Sequence, residues 1–344
     1  MFDIRHSTFD IRHSTFDIRH STFDIRHSTF DIRHSTFDIR PMDDRFKQEL
    51  RATCRGEARF DEPMTRHTSF GVGGPADAFV LPGGLDDLRA TCQLLASRDV
   101  PILPLGDGTN MLVSDAGWRG AVLCLTKGLR AISFQGEIGS AEAGASLSVF
   151  SRQCQRAGLT GLEWACSVPG TLGGALRGNA GAFGGETFDR LLSVEAIETR
   201  TGQTLLLKKE DLPHSYRRCD LPPGLLLLRG AFALAGGVPG EIEARMDEIL
   251  SRRKATQPLY ERNAGCIFKN PAGASAGLLI DRAGCKGLGV GGAVVSDLHA
   301  NFVVNRGGAT AADVLTLIER VRQRVRQHAG VELETEIRII GETL

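Results

Sequence analysis

The sequence has no surplus of either charge: 41 lysines and arginines stand against 41 aspartates and glutamates in 344 residues. A basic face for nucleic acid is therefore not expected, nor an acidic tail for a basic partner. An anionic ligand would have to be held locally, by a few cations and by backbone N–H groups. None of the eight cysteines forms a C-x-x-C pair, which argues against a zinc knuckle or a thioredoxin-type motif, and no metal site is expected. The longest apolar runs, such as Leu225 to Leu228, are too short to span a bilayer, and the N-terminus has no continuous apolar stretch of the signal-peptide kind. With thiols such as Cys92 and Cys124 inside apolar segments, a reducing cytoplasm is the plain reading. Neither of the glycine-rich stretches at 106–110 and 169–186 is a P-loop or a G-x-G-x-x-G fingerprint.

What is there begins with an oddity. Residues 2–36 are five perfect copies of Phe-Asp-Ile-Arg-His-Ser-Thr, followed by a truncated copy ending at Arg40. The apolar residues fall at repeat positions one and three, whereas a coiled-coil seam needs spacings of three and four. Residues 1–41 are expected to be disordered and to lie outside the working protein, with Met42 a natural start. From there the chain reads as ordinary globular sequence. Leu85, Leu88, Cys92 and Leu95 recur at helical spacing, and a second helix is expected from Ser146 to Arg156. Strands are expected at 101–105, 121–125, 131–134, 192–198, 203–208 and 225–228. A new unit is expected near residue 240, opening with a helix whose stripe is Ile242, Met246, Ile249 and Leu250. Thr310 should cap a last helix that Gly330 ends. The strict alternation of residues 331–339 reads as a strand, with Glu332, Glu334 and Glu336 on its wet face. Strands and helices mix without a regular βαβ rhythm, so the class is α+β, with domains at 42–235 and 236–344.

Glycine is abundant, at 41 residues, and much of it is clustered. Gly106-Asp-Gly-Thr-Asn110 follows an expected strand, and Pro169 to Glu186 is richer still. Glycine lets the backbone approach a pyrophosphate and aim several N–H groups at it without an intervening side chain. Tight turns are the plain alternative for either stretch alone; two in one domain favour a dinucleotide. Arg262 to Pro271 places Cys266 after a glycine, with Lys269 and Asn270 close by. Nearby positive charge would lower the thiol's pKa, while the plain alternative is a buried structural cysteine. Tyr216 to Arg218 alone reads as a surface turn.

Taken in order, these segments resemble the UDP-N-acetylenolpyruvoylglucosamine reductase (MurB) family. The matching stretches are His67-Thr-Ser-Phe-Gly-Val-Gly-Gly74, Leu105 to Asn110, Pro169 to Gly174, Asn179 to Gly184, Tyr216-Arg217, Asn263 to Pro271, Gly277 to Asp281, His299 to Phe302 and Leu333 to Glu336. The resemblance covers about residues 60–342. It implies a vanillyl-alcohol-oxidase-type (PCMH) FAD-binding domain followed by an α+β substrate domain, with NADPH as hydride donor and a UDP-sugar as substrate. A monomer is expected.

The resemblance further implies that Gly106, Gly108, Thr109, Asn110, Pro169, Gly170, Gly173, Gly174, Asn179 and Gly181 contact FAD. Arg217 would hold the substrate carboxylate, and a protonated Glu336 would donate to the charge that develops after hydride addition. Cys266 stands where the family usually has a serine proton donor. A thiol is the stronger acid, but a thiolate driven by Lys269 or Arg217 would leave the resting site without its proton. Tyr216, Lys269, Asn270 and His299 match positions near the substrate, a structural histidine being the alternative for His299. The only tyrosines are Tyr216 and Tyr260, and the stretch between Arg229 and Arg252 is short. The chain thus resembles the subclass without a lid-tyrosine loop. A different flavin oxidase on the same fold, or a non-catalytic flavin- or nucleotide-binding protein, is the competing reading.

Overall fold

Two sheets share the first large core. The computed structural model describes residues 42–341; the heptapeptide repeat with its expected disorder, and residues 342–344, lie outside the described residues. One sheet runs in the order Glu57–Pro63, Pro75–Leu81, Trp118–Cys124, Ile102–Leu105, antiparallel at its first pair and parallel thereafter. The helix Leu85–Ser97 makes the crossover between parallel strands, burying Leu88, Cys92 and Leu95 as their spacing predicts, with Leu85 left at the rim. The second sheet is antiparallel throughout: Thr204–Lys208, Leu191–Glu198, Leu225–Ala233, Ile138–Glu142, Ile132–Gln135. Leu226, Leu227 and Leu228 are buried on both faces of their strand, which explains a leucine run where alternation would otherwise be expected.

A third, four-stranded antiparallel sheet follows in the order Arg262–Cys266, Phe302–Asn305, Ala293–Val295, Gly289–Val290. The helices Ala276–Arg282 and Ala311–Ala329 share its core. Thr310 caps the longer helix through a capping box with Asp313, and Gly330 ends it in the left-handed region at φ 68°. No helix among the described residues is long and apolar enough to cross a membrane.

Two segments beyond residue 236 find their partners in the first half of the chain. The helix Pro239–Thr256 does not open the new unit as its position suggested: Ile242 and Met246 pack against Cys166. Near the other end, Arg338–Ile340 pairs in parallel with Met111–Val113, and Ile340 joins the core of the first sheet. The alternating segment before it is strand only over those last residues. Its earlier part is extended and touches the third sheet through a single bridge, Phe268 to Thr335. Phe70, Val72 and Leu112 in turn contribute to the core of the third sheet. The two halves are also tied by polar contacts. Asp115 accepts from the N–H groups of Ala311 and Ala312 at 2.8 and 3.0 Å, and Asn305 Nδ2 donates to the Phe70 carbonyl at 3.0 Å.

Candidate active site

The two glycine-rich stretches meet. Gly106 to Asn110 leaves the end of the strand Ile102–Leu105, and Pro169 to Gly174 runs into the short helix Leu172–Gly178. Thr109 Oγ1 donates to the Pro169 carbonyl at 3.4 Å, and a Cβ on Gly106 would overlap Thr171 Oγ1. A Cβ on Gly108 would overlap the His67 carbonyl, and Gly108 sits at φ 61°, a backbone region in which side chains are strained. Gly173 packs on Ala143, with its N–H on the Ala143 carbonyl at 2.8 Å. Among the described residues, the N–H groups of Gly106 to Thr109 have no acceptor within the protein. A bare backbone with free donors, next to a helix start, fits the pyrophosphate of a dinucleotide.

Asn179 serves this region differently from the expectation. It is fully buried in the left-handed region at φ 39°, and both ends of its amide are engaged. Its Oδ1 accepts from Phe188 N at 3.2 Å and its Nδ2 donates to the Ser215 carbonyl at 3.1 Å. Its side chain therefore braces the turn that follows Ser215.

That turn carries Tyr216 and Arg217 between the short strands His214–Ser215 and Arg218–Cys219. Arg217 is held at φ 58°, a strained conformation for a residue with a side chain. Its Nη2 donates to the Gly181 carbonyl at 2.8 Å, and its guanidinium stands over the Tyr216 ring at 5.1 Å. Its Nε lies 2.7 Å from Glu336 Oε1, although the N–H is not aimed along that line and has no aligned acceptor. Glu336 is thus drawn out of the wet face assigned to it by alternation. Burial raises its pKa above the usual carboxylate value despite the opposing pull of Arg217.

Cys266 ends the strand Arg262–Cys266, just after Gly265 at φ 77°, where a Cβ would meet open space. The backbone fixes it against Glu336: the Glu336 N–H donates to the carbonyl of the next residue, Ile267, at 2.7 Å. Asn301, buried, clamps the same strand by exchanging hydrogen bonds with Phe268 N and O at 2.9 and 2.8 Å. Asn110 Nδ2 reaches the Glu336 carbonyl at 3.3 Å, so the cradle and this cluster are joined.

The feared thiolate does not arise. Burial, reinforced by Glu336, pushes the Cys266 thiol up to about 12, and the opposing pull of Arg217 and Arg253 does not offset it. Lys269 is turned away to Glu334, with Nζ and Oε1 2.5 Å apart. Cys266 keeps its proton at neutral pH, and it is the one cysteine of the eight that is only partly buried as a residue.

The four remaining positions lie on the third sheet's loops and on the Arg217 turn. Tyr216 is exposed. Asn270 Oδ1 accepts from Ala276 N at 3.0 Å, leaving its amide N–H₂ to donate elsewhere. His299 Nδ1 accepts from Asn301 N at 3.2 Å, its ring edge meets Phe302, and burial lowers its pKa, so it is neutral at pH 7. Beyond the expected residues, the structure adds Asn301 as a brace.

The C-terminal part, residues 257–340, matches the family described as UDP-N-acetylenolpyruvoylglucosamine reductase, C-terminal domain, and residues 76–208 match an FAD binding domain. The UDP-N-acetylenolpyruvoylglucosamine reductase of Geobacter metallireducens is 46% identical over 301 residues, 88% of this chain and 100% of the relative. The chain belongs to the MurB family. That of Paramagnetospirillum magneticum is 46% identical over 83% of this chain and 92% of its own length. The crystal structure of MurB from Thermus caldophilus superimposes with a TM-score of 0.71 at 35% identity, covering 83% of this chain and 99% of that one.

Proposed function

We propose that the protein reduces the enolpyruvyl group of UDP-N-acetylglucosamine enolpyruvate to give UDP-N-acetylmuramate, a peptidoglycan precursor, with NADPH as reductant and FAD as bound cofactor. When bound, FAD supplies the relay of hydride from NADPH to the β-carbon of the enol ether. The observation that carries this reading is the meeting of Arg217, Glu336 and a protonated Cys266 beside a bare-backbone cradle.

Hydride arrival at the β-carbon pushes charge through the α-carbon into the substrate carboxylate. Arg217, fixed by the Gly181 carbonyl, presents a cation to that carboxylate. Burial raises the pKa of Glu336 and so favours the protonated form that donates to the developing charge. Cys266 then delivers its proton to the α-carbon. The cradle of Gly106, Gly108, Thr109, Asn110, Pro169, Gly170, Gly173, Gly174 and Gly181, with the Asn179 backbone, is assigned to FAD. Tyr216, Lys269, Asn270 and His299 are assigned to the sugar nucleotide. Residues 42–235 carry the cofactor and 236–344 the substrate, the helix Pro239–Thr256 and the strand Arg338–Ile340 serving to lock one to the other. The protein is taken to act as a monomer in the cytoplasm, a compartment that suits eight unpaired cysteines.

The test is a two-stage assay on the flavin-loaded protein. NADPH should bleach the flavin, and the enolpyruvyl sugar nucleotide should restore its colour. The restoring stage should slow as pH rises through the pKa of Glu336, which lies above the ordinary carboxylate range, because the deprotonated group no longer donates. NADPH oxidation indifferent to the sugar nucleotide would overturn the assignment.

A further inference from the structure

We propose that Ser69 is a positioning residue that keeps Cys266 in register with the flavin cradle. The inference rests on the assignment of Cys266 as proton donor. Ser69 lies in the stretch His67 to Gly74, to which the proposed chemistry gives no part.

That stretch is a turn fixed in both halves of the chain. At its start the His67 ring stacks on Phe79 of the first sheet at 3.8 Å, and its Nε2 lies 2.8 Å from Glu62 Oε1. Thr68 closes the turn through its hydroxyl, which donates to the Val72 carbonyl at 2.9 Å. Phe70 is buried in the core of the third sheet, and its carbonyl accepts from Asn305. Ser69 stands between these anchors. Its N–H donates to the Gly108 carbonyl at 3.2 Å, and its Oγ donates to the Asn263 carbonyl at 2.6 Å. Oγ also lies 3.4 Å from the Gly108 carbonyl, but a hydroxyl has one proton and the shorter contact takes it. One residue thus touches both the cradle loop and the strand that ends at Cys266.

Asn263 is where that strand departs from regular pairing. Asn263 faces Val304 and Cys266 faces Phe302, so the stretch from 263 to 266 holds one residue more than the strand opposite. A bulge of this kind re-aims the side chain that follows it. Asn263 Oδ1 accepts from Gly265 N at 2.9 Å, and Gly265 takes φ 77°, which sets the direction in which Cys266 leaves the strand. Asn263 Nδ2 donates to the carbonyls of Pro258 and Glu261. The side chain is therefore fully engaged in shaping the bulge, and its backbone carbonyl is held by Ser69. Loss of the Ser69 hydroxyl frees the root of the bulge and leaves the cradle glycines, Arg217, Glu336 and Cys266 unaltered. Proton delivery suffers most from such a change, since a misplacement of about 1 Å can slow an aligned transfer by up to about a hundredfold.

The test compares Ser69→Ala and Ser69→Thr with the parent holoenzyme by rapid mixing. In Ser69→Ala, flavin reduction by NADPH should keep its rate. The limiting rate of reoxidation by the enolpyruvyl sugar nucleotide should fall about tenfold or more at unchanged affinity. The solvent deuterium isotope effect on reoxidation should rise, because proton transfer becomes the slow event. Ser69→Thr, which keeps the hydroxyl, should recover most of the rate. Independently of turnover, hydrogen exchange read by mass spectrometry should show the Gly265 amide exchanging about fivefold faster in Ser69→Ala, as the loss of one hydrogen bond implies. Unchanged exchange at Gly265 would overturn the proposal. So would equal slowing of both half-reactions with flavin lost on gel filtration, since Ser69 would then serve only to retain the cofactor. Failure of the Cys266 assignment looks different: Cys266→Ala itself would reoxidise normally, while exchange at Gly265 would still respond to Ser69.

Discussion

The cradle and the cluster proposed for proton transfer lie side by side and are built on opposite principles. The cradle works by subtraction: Gly106, Gly108 and Gly170 leave backbone where a side chain would collide with Thr171, His67 or Thr109. The cluster works by addition: Arg217, Cys266 and Glu336 are three functional side chains, each held by backbone bonds from a different part of the chain. A region made by subtraction tolerates almost no change of shape, because any new atom fills the site. A region made by addition tolerates isosteric exchange and fails when a proton or a charge is lost.

Substitutions at three positions press on this contrast, from the largest effect to the smallest. Cys266→Ala should leave flavin reduction by NADPH intact and slow reoxidation by the sugar nucleotide about a hundredfold or more, while Cys266→Ser keeps substantial turnover. Rapid-mixing absorbance of the two half-reactions reads this directly, and normal turnover in the alanine variant would remove Cys266 from the cluster. Gly108→Ala should instead damage both half-reactions together, because the cofactor itself is lost. Strain at φ 61° and the collision with the His67 carbonyl should cost about 1–3 kcal/mol, or roughly tenfold or more in FAD affinity. Flavin retained through gel filtration measures it. Asp115→Ala touches neither region. It removes the carboxylate that holds Ala311 and Ala312 N–H groups and should lower stability by about 1 kcal/mol, seen as a reduced Tm at unchanged flavin content.

Much of the fold was legible because local chemistry determined it. Thr310 and Gly330 bound their helix as a capping residue and a left-handed terminator do, and Leu88, Cys92 and Leu95 are buried as their spacing requires. Alternation was less reliable near the end of the chain. Residues 331–337 alternate yet form no continuous strand, because Glu336 turns to Arg217 and pairing resumes only at Arg338. The helix Pro239–Thr256 was legible as a helix, but no amphipathic stripe says which core it will join.

In the site, the glycine clusters were visible as composition, whereas the closeness of Arg217 and Glu336 is a product of tertiary folding. The resemblance named those residues without giving the balance of forces on them. Positive charge near Cys266 argued for a thiolate; burial, which no sequence displays, wins instead. The bracing role of Asn301 was hidden for the same reason, since it consists of what surrounds the residue.

The pairing of Arg338–Ile340 with Met111–Val113 has a consequence for the order of events during synthesis. A ribosome releases the cradle loop long before the stretch that pairs beside it, so the earlier strand waits through most of translation with an unfilled edge. Ile340 completes the first core only when the far end of the chain arrives, and Glu336 arrives with it. Assembly of the flavin-binding half and delivery of the Glu336 carboxyl are therefore one late step, so a chain stopped short of residue 336 lacks both.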